Sequence, residues 1–106
     1  MTDLSIVIVS WNTGDLLRRC AASIVASAPA VAYEIIVVDN ASSDQSLARL
    51  RGDAAAAALL ADGRLRIVEN AENRGFGAAN NQAFALSQCA VRAAAESRYP
   101  DRPRRD

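Results

Sequence analysis

Residues 34–44 read Glu-Ile-Ile-Val-Val-Asp-Asn-Ala-Ser-Ser-Asp, an unbroken apolar run that stops at a carboxylate followed by small amide and hydroxyl side chains. The run Ile35 to Val38 is β-branched and too short for a helix, the pattern of a strand buried on both faces of a parallel sheet. Asp39 then falls at the carboxyl edge of that strand. In open α/β sheets, ligands bind in the crevice beyond this edge, so position makes Asp39 a candidate contact. The competing reading is structural: Asp39, Asn40 and Ser42 form the turn and cap the next helix.

The flanking segments follow the same plan. Leu4 to Ser10 is a second β-branched run, and after it Leu16, Leu17, Cys20, Ile24 and Val25 recur at helical spacing. Asn12 or Thr13 is placed to cap that helix, Asp15 lies in its first turn where the dipole favours a carboxylate, and Pro29 marks its end. Beyond Asp39, Ser42 or Ser43 is placed to cap a helical stretch that runs through Leu47 and Leu50 to about Ala61, with a break near Gly52. The Asp62-Gly63 turn signal precedes a third strand over 64–69, and a Gly-containing loop then opens a helix carrying Phe76, Ala79, Ala83, Phe84 and Leu86. Strands alternating with helices imply right-handed crossovers and a parallel sheet. The expected fold class is therefore α/β: a three-layer, Rossmann-like, mostly parallel sheet of about three strands in the order βαβαβα.

With 106 residues the chain has room for one modest core. The domain is expected over residues 1–91. Residues 92–106, with five Arg, two Pro and few large apolar side chains, read as a disordered tail. Formal net charge is zero and the twelve basic residues are all Arg, which argues against nucleic acid as the main partner. The first apolar stretch lacks the length and basic leader of a secretory signal or membrane span, so a cytoplasmic location is expected. Cys20 and Cys89 read as small buried residues, and the lack of any His removes zinc sites as well as Ser–His and Cys–His nucleophiles.

Side by side, the strand ends gather Ser10, Trp11 and Asn12 after the first strand, Asp39, Asn40, Ser42 and Asp44 after the second, and Asn70 with Asn73 after the third. Such a set suits a nucleotide. A carboxylate accepts from a base imide or ribose hydroxyl, backbone groups of the first loop frame the base, and small turn residues allow close approach. Trp11 either supplies a flat apolar wall or packs under the first loop. The stretch Arg74-Gly75-Phe76-Gly77 resembles a dinucleotide fingerprint only in part, because Asn80 stands where a third glycine belongs and the stretch follows the third strand. Its glycines relieve crowding where loop meets helix. Arg74 is either a contact for a phosphate or its sugar, or an ordinary exposed residue of the first turn.

Together, SIVIVSWN, EIIVVDNASSDQS and IVENAENRGFGAANNQA resemble the amino-terminal half of the catalytic domain of family 2 glycosyltransferases, inverting enzymes of GT-A fold, and within them the rhamnosyltransferase-like branch. The resemblance covers roughly residues 4–90. It implies that Ser10, Trp11 and Asn12 frame the nucleotide base of a UDP- or dTDP-sugar, that Asp39 contacts the base or ribose, and that Asn40, Ser42 and Asp44 shape the adjoining turn. It places Asn73, Arg74 and Gly75 near the diphosphate or donor sugar, and it makes none of these residues the catalytic base.

The complete family enzyme holds Mg or Mn through an Asp-x-Asp motif after a fourth strand and uses a later carboxylate on the acceptor. This chain contains no Asp-x-Asp, so no metal is expected here and the chain reads as a truncated, inactive part of such an enzyme. Absence of the fourth strand would leave Ser5 to Val9 as an exposed apolar edge open to self-association. The rival reading is a non-catalytic interaction module that pairs through this edge. A nucleotidyltransferase is a third, but its Gly-rich basic loop after the first strand is missing from SWNTGD.

Overall fold

The computed structural model describes residues 2–27, 30–87 and 92–97, the last as backbone. Four parallel strands, β1 (Leu4–Ser10), β2 (Tyr33–Asp39), β3 (Leu65–Glu69) and β4 (Arg92–Ser97), form one sheet in the order β3-β2-β1-β4. The helices are α1 (Leu16–Ser27), α2 (Ser46–Arg51), α3 (Ala54–Ala61) and α4 (Phe76–Leu86). The α/β class, the parallel sheet and the βα alternation are as expected from the sequence.

The order of strands dictates which face each helix covers. From β1 through β2 to β3 the chain steps in one direction, so right-handed crossovers put α1, α2 and α3 on the same face. The return from β3 to β4 runs the other way and puts α4 on the opposite face. Burial follows this rule. Ile8, Ile35 and Val37 pack with Leu17, Ala21, Leu50, Ala56 and Leu59 on one side, while Val7, Val9, Ile36 and Val38 pack with Ala79 and Ala83 on the other. Every residue of β2 is buried, which is why its sequence is continuous in apolar residues rather than alternating.

Three expectations are corrected. A fourth strand is present over residues 92–97, so those residues are not a disordered tail; residues 98–106 lie outside the described residues. Consequently β1 is a central strand, with Ser5 to Ser10 in register with 92–97, and the anticipated exposed Ser5–Val9 edge does not exist. That removes the basis given for self-association and for the edge-pairing module. The sequence had hidden β4 because Arg92-Ala-Ala-Ala-Glu-Ser97 contains neither β-branched nor large apolar residues, and a strand of this composition is held by its ladder rather than by intrinsic preference.

Neither Ser42 nor Ser43 caps a helix. The second helix begins at Ser46, and Asp44 Oδ1 accepts from the Ser46 amide at 3.0 Å and from its hydroxyl at 2.6 Å. The break near Gly52 is present, and Asp53 caps α3 by accepting from the Ala56 amide. Asp15, just ahead of α1, takes both guanidinium bonds of Arg18 at 2.7 Å, and Arg18 reaches Asp53 at 3.5 Å, clipping α1 to the start of α3. Those hydrogen bonds hold the Asp15 carboxyl below the usual range. Cys20 is half-buried, and burial pushes its thiol up, as befits an unreactive packing residue.

At the amino-terminal edge Glu34 is buried under the end of α4. Its carboxylate accepts from the Ser5 hydroxyl and pairs with Arg66 at 2.6 Å, and the same Arg66 Nη2 donates to the Leu86 carbonyl at 2.8 Å. A charge at that depth persists because it is paired and hydrogen-bonded.

Leu17 is fully buried against the β1–β2 face and has no room to be replaced by a smaller side chain without leaving a void. Leu17→Ala is expected to lower the unfolding free energy by about 2–5 kcal/mol, measured by urea denaturation, and a loss below about 1 kcal/mol would contradict the packing described.

Candidate functional site

The carboxyl edge is formed by the loops that follow β1, β2 and β3, and hydrogen bonds tie these loops into one rim. The sheet ladder extends one step past the strands: the Asn40 amide donates to the Ser10 carbonyl at 2.8 Å and the Asn70 amide to the Asp39 carbonyl at 2.9 Å. Side chains take over from there.

The first and second loops interlock. The Asn12 amide donates to Ser42 Oγ at 2.8 Å, the Ser43 amide donates to Asn12 Oδ1 at 2.8 Å, and the Gly14 amide donates to Asp44 Oδ2 at 2.9 Å. Beneath them Ser10 and Thr13 share a hydroxyl contact of 3.1 Å. Two non-glycine residues in this region have positive φ, Asn12 at 49° and Ala41 at 65°. Asn tolerates that conformation; Ala does not favour it.

Asp39 closes its own turn. Oδ2 accepts from the Ser42 amide at 2.9 Å and Oδ1 from the Ser42 hydroxyl at 2.6 Å, and the residue is only 2% exposed. The turn-forming role is thus present in the geometry. A carboxylate offers about four acceptor positions, so the two bonds to Ser42 leave capacity for another donor at the rim.

The second and third loops meet through Asn40. Its Oδ1 accepts from Asn70 Nδ2 at 2.9 Å and from the Arg74 amide at 3.3 Å, and its Nδ2 donates to the Gly75 carbonyl at 3.2 Å. Asn73 Oδ1 accepts from the Gly75 amide at 2.8 Å. Gly75 itself precedes α4 with φ 85° and ψ 165°, a conformation essentially restricted to glycine. The Arg74 side chain is exposed and makes no ion pair among the described residues. Trp11 is 49% exposed, so it does not pack under the first loop.

The rim therefore brings together Ser10, Asn12, Asp39, Asn40, Ser42 and Asp44, with Asn73 to Gly75 fastened alongside. Gln82 was missed by the sequence reading. It lies two turns into α4 and exchanges two hydrogen bonds of 2.8 Å with Asn70. Nothing local in the sequence marks it, because the contact joins the loop after β3 to the second half of α4.

No group of three acidic, His or Cys side chains able to hold a metal ion exists among the described residues. The rim carboxylates Asp39 and Asp44 are both engaged with serines, and no step through a metal is derived from them.

Residues 5–91 match the model of the glycosyl transferase family 2. A curated relative, the succinoglycan biosynthesis protein ExoU of Rhizobium meliloti (strain 1021), is 39% identical over 89 residues. That alignment takes in 81% of this chain and 23% of the relative, so the chain spans about a quarter of that protein's length. The chain belongs to glycosyl transferase family 2. No helix among the described residues is long and apolar enough to cross a membrane.

Two consequences of the rim are measurable. Partial desolvation pushes the Asp44 carboxyl up, but the bonds from the Ser46 hydroxyl and amide and from the Gly14 amide outweigh it and hold the group below the usual carboxylate range. A depressed folded-state value means that its stabilisation is complete above about pH 4 and is lost as pH falls through the lower value. The stability gap between wild type and Asp44→Asn is therefore expected at pH 7 and should close towards pH 3 in urea denaturation; a gap independent of pH would contradict the assignment. Ala41→Gly is expected to stabilise by up to about 1 kcal/mol, the left-handed penalty of Ala less the backbone entropy cost of Gly. A destabilised variant in the same assay would show that Ala41 is not strained.

Proposed function

We propose that the carboxyl-edge rim binds the nucleotide part of a nucleotide-sugar donor of the UDP or dTDP class. The observation that carries this reading is the interlocking of three successive loops at the strand ends into one hydrogen-bonded rim, in a chain of glycosyl transferase family 2. In this reading Trp11 supplies a flat exposed face for the base, Ser10 and Asn12 frame it through backbone groups, and the remaining acceptor capacity of Asp39 takes a base imide or ribose hydroxyl. Asn40, Ser42 and Asp44 hold the turn in shape. Asn73, Arg74 and Gly75 approach the diphosphate or donor sugar, with the exposed Arg74 guanidinium as the cationic contact.

The role proposed for these residues is donor binding within glycosyl transfer for polysaccharide assembly, including transfer of the rhamnosyl type. Transfer also requires a base on the acceptor hydroxyl and charge stabilisation of the leaving diphosphate. No residue of the rim is assigned either task, so the chain is proposed to bind donor without transferring it.

Because Asp39 also holds Ser42, a simple truncation would confuse ligand contact with turn formation. Asp39→Asn keeps an acceptor for the Ser42 amide but removes the charge, whereas Ser42→Ala removes a turn bond and keeps the carboxylate. Titration calorimetry with UDP and dTDP is expected to show at least about tenfold weaker binding by Asp39→Asn and a smaller loss for Ser42→Ala. Identical binding by Asp39→Asn and wild type would remove Asp39 from the site.

A further inference from the structure

Asn40, Asn70 and Gln82 form a directed chain of side-chain amides whose orientation is set by backbone groups. The Arg74 N–H can only donate and the Gly75 carbonyl can only accept, so Asn40 must turn Oδ1 to the first and Nδ2 to the second. Asn70 must then present Nδ2 to Asn40 Oδ1. Its second amide hydrogen goes to Gln82 Oε1, and its Oδ1 accepts from Gln82 Nε2. Both hydrogens of Asn70 Nδ2 are thereby used, and a rotation of any one amide would set acceptor against acceptor or donor against donor.

The segment held by this chain is otherwise tied only locally, by the Ala79 amide donating to the Gly75 carbonyl at 3.2 Å and the Gly75 amide donating to Asn73 Oδ1 at 2.8 Å, among the described residues. Residues 71–78 are all exposed, and among the described residues the hydrogen bonds from Arg74 and Gly75 to the sheet end on Asn40. Asn40 and Asn70 are buried, and Gln82 sits on a helix whose inner face is packed against β1 and β2. The amides therefore transmit the rigidity of α4 and the sheet to a loop that has no apolar anchor of its own.

We propose that Asn70 and Gln82 are positioning residues that fix the 73–75 loop for the diphosphate end of the donor, acting through Asn40. This rests on the function proposed above and adds a division within the site: the base end depends on the first and second loops, and the diphosphate end depends on the amide chain. Gln82 touches no ligand in this arrangement. Its removal is expected to weaken recognition of the terminal phosphate while leaving the base and ribose contacts intact.

The test uses Gln82→Met, which preserves length and removes both bonds, and Gln82→Glu, which keeps one acceptor but sets a carboxylate oxygen against Asn70 Oδ1. Two readouts are taken on the whole chain. In the unliganded protein, exchange of the Arg74 amide proton is expected to quicken about fivefold while the amides of Ile36 and Val37 stay unchanged. In calorimetry, binding of UDP or dTDP, whichever the wild type prefers, is expected to weaken about fivefold, with the corresponding monophosphate nearly unaffected. Unchanged Arg74 exchange, or equal weakening of diphosphate and monophosphate, overturns the proposal while leaving the functional reading in place. A wild type that binds no nucleotide overturns that reading and this inference with it. If Gln82→Met fails to fold, Gln82→Glu carries both measurements.

Discussion

The complete burial of β2 is the constraint on which the rest of the molecule depends. With helices against both of its faces and strands on both of its edges, no residue from Tyr33 to Asp39 has a solvent side. Polar chemistry is therefore confined to the ends of the strand, and each end has been made stable by a different device. At the amino end Glu34 is neutralised by Arg66 and the Ser5 hydroxyl. At the carboxyl end Asp39 closes its own turn on Ser42, and Asn40 bonds to the loop that follows β3. The second end faces the strand tips, and only there do several loops converge.

Convergence is achieved without a large apolar contact. The loops of the rim are small and polar, and their mutual order comes from hydrogen bonds with unambiguous donors and acceptors, many of them backbone amides meeting side-chain oxygens. Such contacts are individually modest but directional, so they define shape more than they add stability. The strand order adds to this. The chain reverses direction across β1, since β2 and β3 lie to one side and β4 to the other, and in open α/β sheets the crevice at such a reversal is where ligands are bound. The same reversal places α4 opposite the other helices and so brings Gln82 under the third loop.

Much of this was legible in the residues. The β-branched runs of β1 and β2, the helical spacing of Leu16, Leu17 and Cys20, the break at Gly52 and the turn before β3 all carry local preferences that agree with the tertiary fold. Asp39, Asn40, Ser42 and Asp44 could be placed at one edge because strand polarity fixes which end of each run they occupy. What escaped had no local signature. β4 is an Ala-rich segment whose ladder with β1 is a long-range fact, Glu34 gives no sign in sequence that it is buried and paired, and the Gln82 contact with Asn70 joins elements 12 positions apart through a helix turn. The caps at Ser42 and Ser43 failed for a related reason: the Ser42 hydroxyl is committed between Asp39 and the Asn12 amide, which no reading confined to that loop reveals.

Helix α4 is fastened at both extremities to the same strand. Its leading end is held through Gly75 to Asn40, and its trailing end through the Leu86 carbonyl to Arg66 and hence to Glu34. Six positions of extended chain separate Glu34 from Asn40, about 20 Å, and the 11 residues of α4 span about 16 Å. The two lengths are commensurate, so the helix acts as a gauge block between two fixed jaws. Point substitutions on its outer surface leave that fit untouched. An added or deleted residue would rotate the inward side chains that follow it by about 100° and pull one jaw out of place.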